Sequence, residues 1–474
     1  MEEAILTHVL KPSQLKTAAL SIDKVCKLFF HENRVFRAVN KDYINEVKEM
    51  FDSGMIQELL DNQLFVETWI SDVKIEGFEL VLEHKQITYW NYPYEWSFNM
   101  LKDAANVVLD VNKIANKYGF ELFDVHAYNV VYDMSTPKYV DLGSLFKIDE
   151  KNGKSWSGYL NFYNSFYMPL YLYKKGFSDL SQSLFLFNGF FSEQDFFKLK
   201  FKYSEIFGSK ISGLLFKGYS NKRRLAVARH FRVVEKYGKH KHINLLLKFK
   251  KTFQNRYSLK KAYRLISKIK HSSFDSYWKD YHTNIAPENN PRFLRITDFI
   301  KTELNDANSL LELASNQGKF ANFVLENSQI NELIATDYDK NALDEIYVNN
   351  KKSKTVLPLI YDFVRPNSRG CDLKMEQRIK GDVVMALAVT HHLILVQDIS
   401  LEHIFNVLKA FTKKYVIVEF MPLGLYSGDL EKTPPIPDYY TFDWFKDMFC
   451  ESFDYILDEE TETNRHVFIG KLKN

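Results

Sequence analysis

The sequence predicts an α/β fold for its carboxyl-terminal part, a doubly wound parallel sheet, and a mixed α+β fold for the part before it. Three observations lead there. Short apolar runs alternate with helix-spaced stretches over about 170 residues at the carboxyl end, as in successive strand–helix–strand units. One of these runs, 382–390 (DVVMALAVT), is almost wholly apolar, as a parallel strand covered on both faces must be. The stretch from Ser309 to Tyr347 reads strand, tight turn, helix, strand, acidic loop, helix.

The amino-terminal part comes first in the chain. Residues 35–39 (VFRAV), 64–68 (LFVET) and 78–84 (FELVLEH) read as strands. Residues 92–97 (YPYEWS) lead into a long helix at 98–117, with Leu101, Ala104, Ala105, Val108, Leu109, Val111 and Ile114 on its apolar face. In 123–145 (FDVHAYNVVYDMSTPKYVDLGSL), Asp124 precedes Asn129 by five residues, and Asp141-Leu142-Gly143 follows twelve residues after Asn129. The order is acid, short strand, turn, short strand, acid. It resembles the catalytic and metal loops of protein-kinase-like phosphotransferases of the aminoglycoside-kinase type. The resemblance implies a kinase-like domain with a helical C-lobe over residues 1–275. It casts Asp124 as catalytic base, and Asn129 and Asp141 as magnesium ligands for Mg-ATP. No Gly-rich phosphate loop precedes residue 80 and no V-A-I-K lysine is present. Arg37 is the nearest basic strand residue, and the one expected to enter the same cleft.

Charge is unevenly placed. The net charge is +3, yet residues 217–271 carry eighteen Lys or Arg against one acid, Glu235. Ile243, Leu246, Leu247, Lys250 and Phe253 give this helix-spaced region an apolar stripe with a basic flank. A solvated helical face produces such a pattern. So does contact with an anionic membrane surface, an anionic glycan or a lipid phosphate. Nucleic acid is the least expected partner, because stacking aromatics are not interleaved at loop positions. Residues 276–292 read as a linker, with a boundary inside 282–292 (HTNIAPENNPR), a run with two prolines and few apolar residues.

The carboxyl-terminal domain is expected over 293–474. Its first strand is 310–313 (LLEL), followed by small or turn-forming residues at 314–318 and by Phe320, Phe323, Val324 and Leu325 at helical spacing. A second strand, 332–336 (ELIAT), stops at Asp337-Tyr338-Asp339. A parallel strand–helix–strand unit leaves a crevice at the carboxyl ends of its strands, where backbone N–H groups and an acid can hold an adenosine ribose. Asp337 lies 25 residues after Glu312, about the spacing expected for that acid. These residues resemble motif I and the following acidic motif of class I S-adenosylmethionine-dependent methyltransferases. The resemblance implies a Rossmann-like domain in which Glu312, Ala314, Asn316 and Gly318 form the cofactor loop and Asp337 takes the ribose. Ala314 and Asn316 stand where glycine is common. A third strand, 356–363 (VLPLIYDF), ends near Asp362, the acid that in this pattern faces the adenine amino group. The fourth, 382–390, carries Ala388, which completes the cofactor set, and runs into His391-His392-Leu393. The fifth is 415–420 (YVIVEF), and 455–457 and 466–470 suit closing antiparallel strands.

Nearly the whole chain also resembles one bacterial family, long class I methyltransferases related to rhizobial nodulation-type proteins. The shared strings lie at 92–105, 124–130, 140–144, 357–362 and 386–393. The family implies O-methylation of a saccharide or surface-glycan-related acceptor, including a glycan-lipid, with the kinase-like domain positioning substrate. One alternative is a bifunctional enzyme that phosphorylates a glycan end and then methylates it. Another is a non-enzymatic two-domain scaffold. Methyl transfer needs an aligned acceptor and, for a hydroxyl, a base. His391 and His392 follow the fourth strand where the acceptor meets the methyl group in this fold, so either suits that role. Glu419, ending the fifth strand, is the further catalytic candidate.

Composition sets the remaining bounds. At 46% hydrophobic residues, a large core is available and global disorder is excluded. Cys26, Cys371 and Cys450 are widely separated, which gives no disulfide framework and no CxxC metal site. The start, MEEAILTHVL, lacks a basic-then-apolar signal, and no uncharged run is long enough to span a bilayer. The expected location is the cytoplasm, with residues 217–271 suited to the inner face of the membrane.

Overall fold

The computed structural model describes residues 9–17, 23–149, 155–186, 257–271, 286–366, 368–369, 372–426 and 428–473. Residues 217–256 of the basic region and 276–285 of the linker lie outside the described residues.

The amino-terminal part is built on a five-stranded antiparallel sheet. Its order is β2 (Lys16–Thr17), β3 (Cys26–His31), β4 (Arg34–Val39), β7 (Leu80–His84), β5 (Thr68–Ile70). Two further short strands, β1 (Val9–Leu10) and β6 (Lys74–Ile75), pair in parallel. Residues 64–67 depart from the expected strand, and only Phe65 bridges to Tyr139 there. The long helix is observed over Phe98–Lys117, and every apolar position assigned to its inner face is buried. Ser97 caps it by accepting from Met100 N at 3.5 Å, which pairs one of the first-turn N–H groups. After it, β8 (Phe120–Leu122) pairs with β11 (Leu145–Lys147), and β9 (Val130–Asp133) with β10 (Thr136–Tyr139). The described end of the basic region is a helix, Leu259–Ser267, held on the long helix by Tyr263 Oη donating to Asp110 at 2.6 Å.

The carboxyl-terminal part is a seven-stranded sheet. Its order is β14 (Val356–Ile360), β13 (Glu332–Asp337), β12 (Ser309–Leu313), β15 (Gly381–Ala386), β16 (Thr412–Phe420), β18 (Arg465–Leu472), β17 (Phe453–Glu462). The first five are parallel, and β18 and β17 are antiparallel. This is the doubly wound, Rossmann-like architecture the sequence predicts. Every residue of β12, β14 and β15 is buried, as parallel strands covered by helices on both faces require. The strand order reverses at β12, between β13 and β15, which is where such sheets open a crevice. β14 and β15 stop short of the expected ends. Their last residues leave the sheet and enter the cavity wall described below.

One continuous apolar cluster runs from Val25 and Phe98 in the first part to Leu357, Phe405 and Phe468 in the second. The two parts therefore share a core. Among the described residues no helix is long and apolar enough to cross a membrane.

Candidate active site

Four parallel strands, β13, β12, β15 and β14, deliver their carboxyl ends to one cavity of about 350 Å³. Glu312, Ala314 and Asn316 line it from β12 and the turn after it. Asp337 and Tyr338 follow from β13, Asp362 to Arg365 from β14, and Leu387, Ala388, Val389 and His392 from β15. Phe293 and Phe320, stacked with centroids 4.2 Å apart, form a wall.

The turn after β12 keeps a glycine-type backbone without the glycines. Ala314 has φ 59° and Asn316 φ 50°, and Gly318 has φ 64°. Asn tolerates the left-handed region, whereas Ala in it costs about 1–2 kcal/mol. At Gly318 an added Cβ would lie 2.9 Å from Ile346 Cδ1, so that position needs glycine for space as well. Ala314→Gly should raise stability by about 0.5–1 kcal/mol, the relief of strain less the entropy of a glycine. A denaturation midpoint that fails to rise would show that the surroundings already offset the strain.

Asp337 ties the turn to the strand. Its Oδ2 accepts from Asn316 N at 2.7 Å and its Oδ1 from Asp339 N at 2.8 Å. Burial pushes its carboxyl up to about 6, although these backbone donors pull the other way. Glu312 is buried too, and its Oε2 has no hydrogen-bond partner among the described residues. Burial pushes it up to about 8; Asp337 adds to that rise and Arg292 opposes it. An acid with an unpartnered oxygen in a cavity wall is destabilised unless a cation or donor meets it. Asp362 Oδ1 accepts from Val364 N at 3.1 Å and Arg365 N at 2.9 Å, which folds the start of the next loop against the cavity.

The histidine pair is divided by the helix Thr390–Leu395. His392 lines the cavity, whereas His391 is 4% exposed and is not part of the wall. Burial, with smaller contributions from His392 and Arg465, pushes His391 down to about 3, and burial lowers His392. Both are held neutral.

Glu419 is not free to act as a base, contrary to expectation. It is fully buried and receives Arg292 Nη2 at 3.0 Å, Arg465 Nη1 at 2.8 Å and Ala388 N at 2.8 Å. A carboxylate held by two guanidinium groups is an anchor. It fixes Ala388, which has φ 51°, and Arg292, which lines the cavity. Arg292 also corrects the linker assignment. It lies in the first turn of the helix Pro291–Glu303 and is 5% exposed. A Pro-containing polar run concealed it, although Asn290 followed by Pro291 is a helix-start signal.

In the amino-terminal part, Asn129, Asp141 and Arg37 do converge. Arg37 Nη1 donates to Asp141 Oδ1 at 2.8 Å, and Asn129 Nδ2 to Asp141 Oδ2 at 3.3 Å. Asp23, which sequence reasoning missed, completes the group by accepting from Arg37 Nη1 at 2.9 Å. Its carboxylate lies against Gly143 so closely that an added Cβ would collide with it. The Asp124 carboxylate meets His126 instead of this group. The side chain is 55% exposed and lies 3.7 Å from His126 Nε2, and the Asp124 carbonyl accepts from Asn129 Nδ2 at 3.0 Å. Among the described residues no cluster of three or more His, Cys, Asp or Glu could hold a metal ion.

No family model matches the chain. The nodulation protein NoeA of Rhizobium meliloti (strain 1021) is 27% identical over 414 residues, covering 84% of this chain and 83% of that protein. Solved structures that are similar include magnesium protoporphyrin IX methyltransferase (ChlM) of Synechocystis PCC 6803 with bound SAM. It is 9% identical, with a TM-score of 0.30, over 43% of this chain and 87% of that one. The N-methyltransferase NodS of Bradyrhizobium japonicum WM9 is 8% identical, with a TM-score of 0.28, over 40% of this chain and 99% of that one.

Proposed function

We propose that the carboxyl-terminal part is an S-adenosylmethionine-dependent methyltransferase acting on a hydroxyl of a saccharide or glycan-lipid acceptor. The observation that carries the first half of this reading is the unpartnered Glu312 oxygen in a cavity whose wall also holds Asp337 and Asp362. Three acids at three adjacent strand ends suit an adenosine bearing an amino acid and a positive sulfur. Glu312 would hold the amino group, Asp337 the ribose hydroxyls and Asp362 the adenine amino group. Backbone N–H groups, Asn316 N and Asp339 N among them, take up only part of the roughly four acceptor sites of the Asp337 carboxylate, which leaves room for a further donor. The left-handed turn at Ala314 and Asn316 lets the backbone approach the ligand closely.

When bound, S-adenosylmethionine supplies a methyl group already activated by its sulfonium sulfur. The chain has to orient the acceptor, exclude water and take one proton. His392, in the cavity wall and held neutral by burial, is suited to take the hydroxyl proton on an imidazole nitrogen. His391 is its packing partner, with ring centroids 4.2 Å apart. The saccharide class of acceptor is supported by the family resemblance alone.

The amino-terminal part, with residues 1–275 and a linker that ends before Arg292, is proposed as a kinase-like scaffold that positions substrate. The antiparallel sheet and the Asn129–Asp141 pair support the kinase-like reading. Phosphotransfer is disfavoured because Arg37 already neutralises Asp141, so magnesium of Mg-ATP would have to displace it. Contact of residues 217–271 with an anionic membrane at the inner face is a further proposal.

Calorimetric titration with S-adenosylmethionine and with Mg-ATP, side by side, tests the whole assignment. Binding of the first and silence with the second are expected. His392→Ala should retain donor binding and lose about 10²–10⁴ in turnover. No binding of the donor to the folded chain would refute the methyltransferase reading.

A further inference from the structure

The string at 92–99 (YPYEWSFN) has no role in the chemistry above, yet two connections from the cavity converge on it. The first is the helix Lys340–Asn349, which begins three residues after Asp337. Its buried Asp344 accepts from Ser97 Oγ at 2.6 Å, Asn99 N at 2.7 Å and Asn99 Nδ2 at 2.6 Å. An acid of one part thus caps the long helix of the other. The second is the connection from β14 to β15, which carries Asp362 near its start and the short helix Met375–Arg378 near its end. Arg378 forms a bidentate ion pair with Glu95, the two side chains being 5% and 2% exposed. The Tyr92 ring covers the guanidinium at 4.4 Å, and Tyr92 Oη accepts from Leu373 N at 3.3 Å.

We propose that residues 92–99 are a brace that positions the two adenosine-facing acids, Asp337 through Asp344 and Asp362 through Arg378. This rests on the methyl-donor reading of the cavity. The sheet holds the backbone of both acids, but the loops that orient their carboxylates lie outside it. Asp337 Oδ1 takes its direction from Asp339 N, at the cap of the helix that carries Asp344. The three hydrogen bonds to Asp344, together with Tyr347 Oη donating to Asp103 at 2.9 Å, tie the rotation of that helix to the amino-terminal part. Asp362 takes its direction from Val364 N and Arg365 N, and the far end of that loop is pinned by a buried ion pair. Such a pair tolerates little displacement, because separating it leaves two uncompensated buried charges. The amino-terminal part would then be a structural portion of the cofactor site, and 293–474 alone would bind poorly.

Two conservative variants test this without emptying the core. Asn99→Ala removes one bond to a carboxylate, and Tyr92→Phe keeps the ring but removes the acceptor for Leu373 N. Their affinity for S-adenosylhomocysteine is measured by calorimetry well below the melting temperature, together with amide exchange across 338–344 and 361–366. Asn99→Ala should bind about tenfold more weakly and exchange faster at 338–344. Tyr92→Phe should show a smaller loss and faster exchange at 361–366. Wild-type affinity in both folded variants would overturn the proposal. If the wild-type chain binds no S-adenosylhomocysteine, the methyl-donor reading fails by itself. Exchange then decides the brace: local acceleration supports it and an unchanged pattern refutes it.

Discussion

Asp337→Ala is expected to weaken S-adenosylmethionine binding by a hundredfold or more. The carboxylate would lose its bonds to the ribose hydroxyls, each worth about 1.5–3 kcal/mol when one partner is charged. It would also release Asn316 N and Asp339 N, now held at 2.7 and 2.8 Å. Asn316 N belongs to the left-handed turn that admits the ligand, so the variant loosens the loop and removes the contact together. Two such bonds amount to about 3 kcal/mol or more, and each 1.4 kcal/mol is a factor of ten. Asp337→Asn keeps an acceptor and the side-chain shape, so a loss of about tenfold is expected. Calorimetry on both variants, with circular dichroism to confirm folding, makes the measurement. A folded alanine variant with wild-type affinity would sink the ribose assignment.

Glu312 is expected to make both stability and donor binding depend on pH. Its carboxyl is raised from 4.5 to about 8 in the folded chain, burial being the main cause. The folded state therefore binds the proton more tightly than the unfolded one. That contribution to stability is fully present below about pH 4.5 and is lost as pH rises through about 8. Its full span is on the order of 5 kcal/mol. Glu312→Gln carries no such proton, so it should leave the ligand-free protein more stable than wild type above pH 8 and nearly equal to it at pH 4.5. The ligand acts in the opposite direction. A cation in the cavity favours ionised Glu312, so donor binding should release a proton near pH 7 and strengthen with pH up to about 8. Titrations in buffers of different ionisation enthalpy read that proton directly. Glu312→Gln should abolish the proton release and bind weakly at every pH. Proton release that persists in this variant would assign it to another group.

Much of this was local and hence legible. A strand buried on both faces must be apolar along its length, and 382–390 says so without help. The helix at 98–117 is written in its 3.6-residue spacing. Acids at strand ends are adjacent in sequence to the strands they terminate, so Asp337 and Asp362 could be located from order, and the methyltransferase resemblance implied their roles. Other residues were invisible for a common reason: their role depends on a partner far away in the chain. Arg292 reads as linker until Glu419 is placed beside it. Asp23 carries no motif and acquires meaning only from Arg37 and Asp141.

The sequence by itself determined the parallel sheet, the long helix and the acids that end the strands, because periodicity and strand-end position are properties of short segments. Only the tertiary structure decided which of two adjacent histidines faces the cavity. The two side chains differ by about 100° around a helix, and nothing local says how that helix is turned. It also decided that Glu419 is an anchor between two arginines and that Arg37 closes on Asp141. And it joined residues 92–99 to Asp344 and Arg378, since charges so distant in sequence can pair only after the two parts share one core.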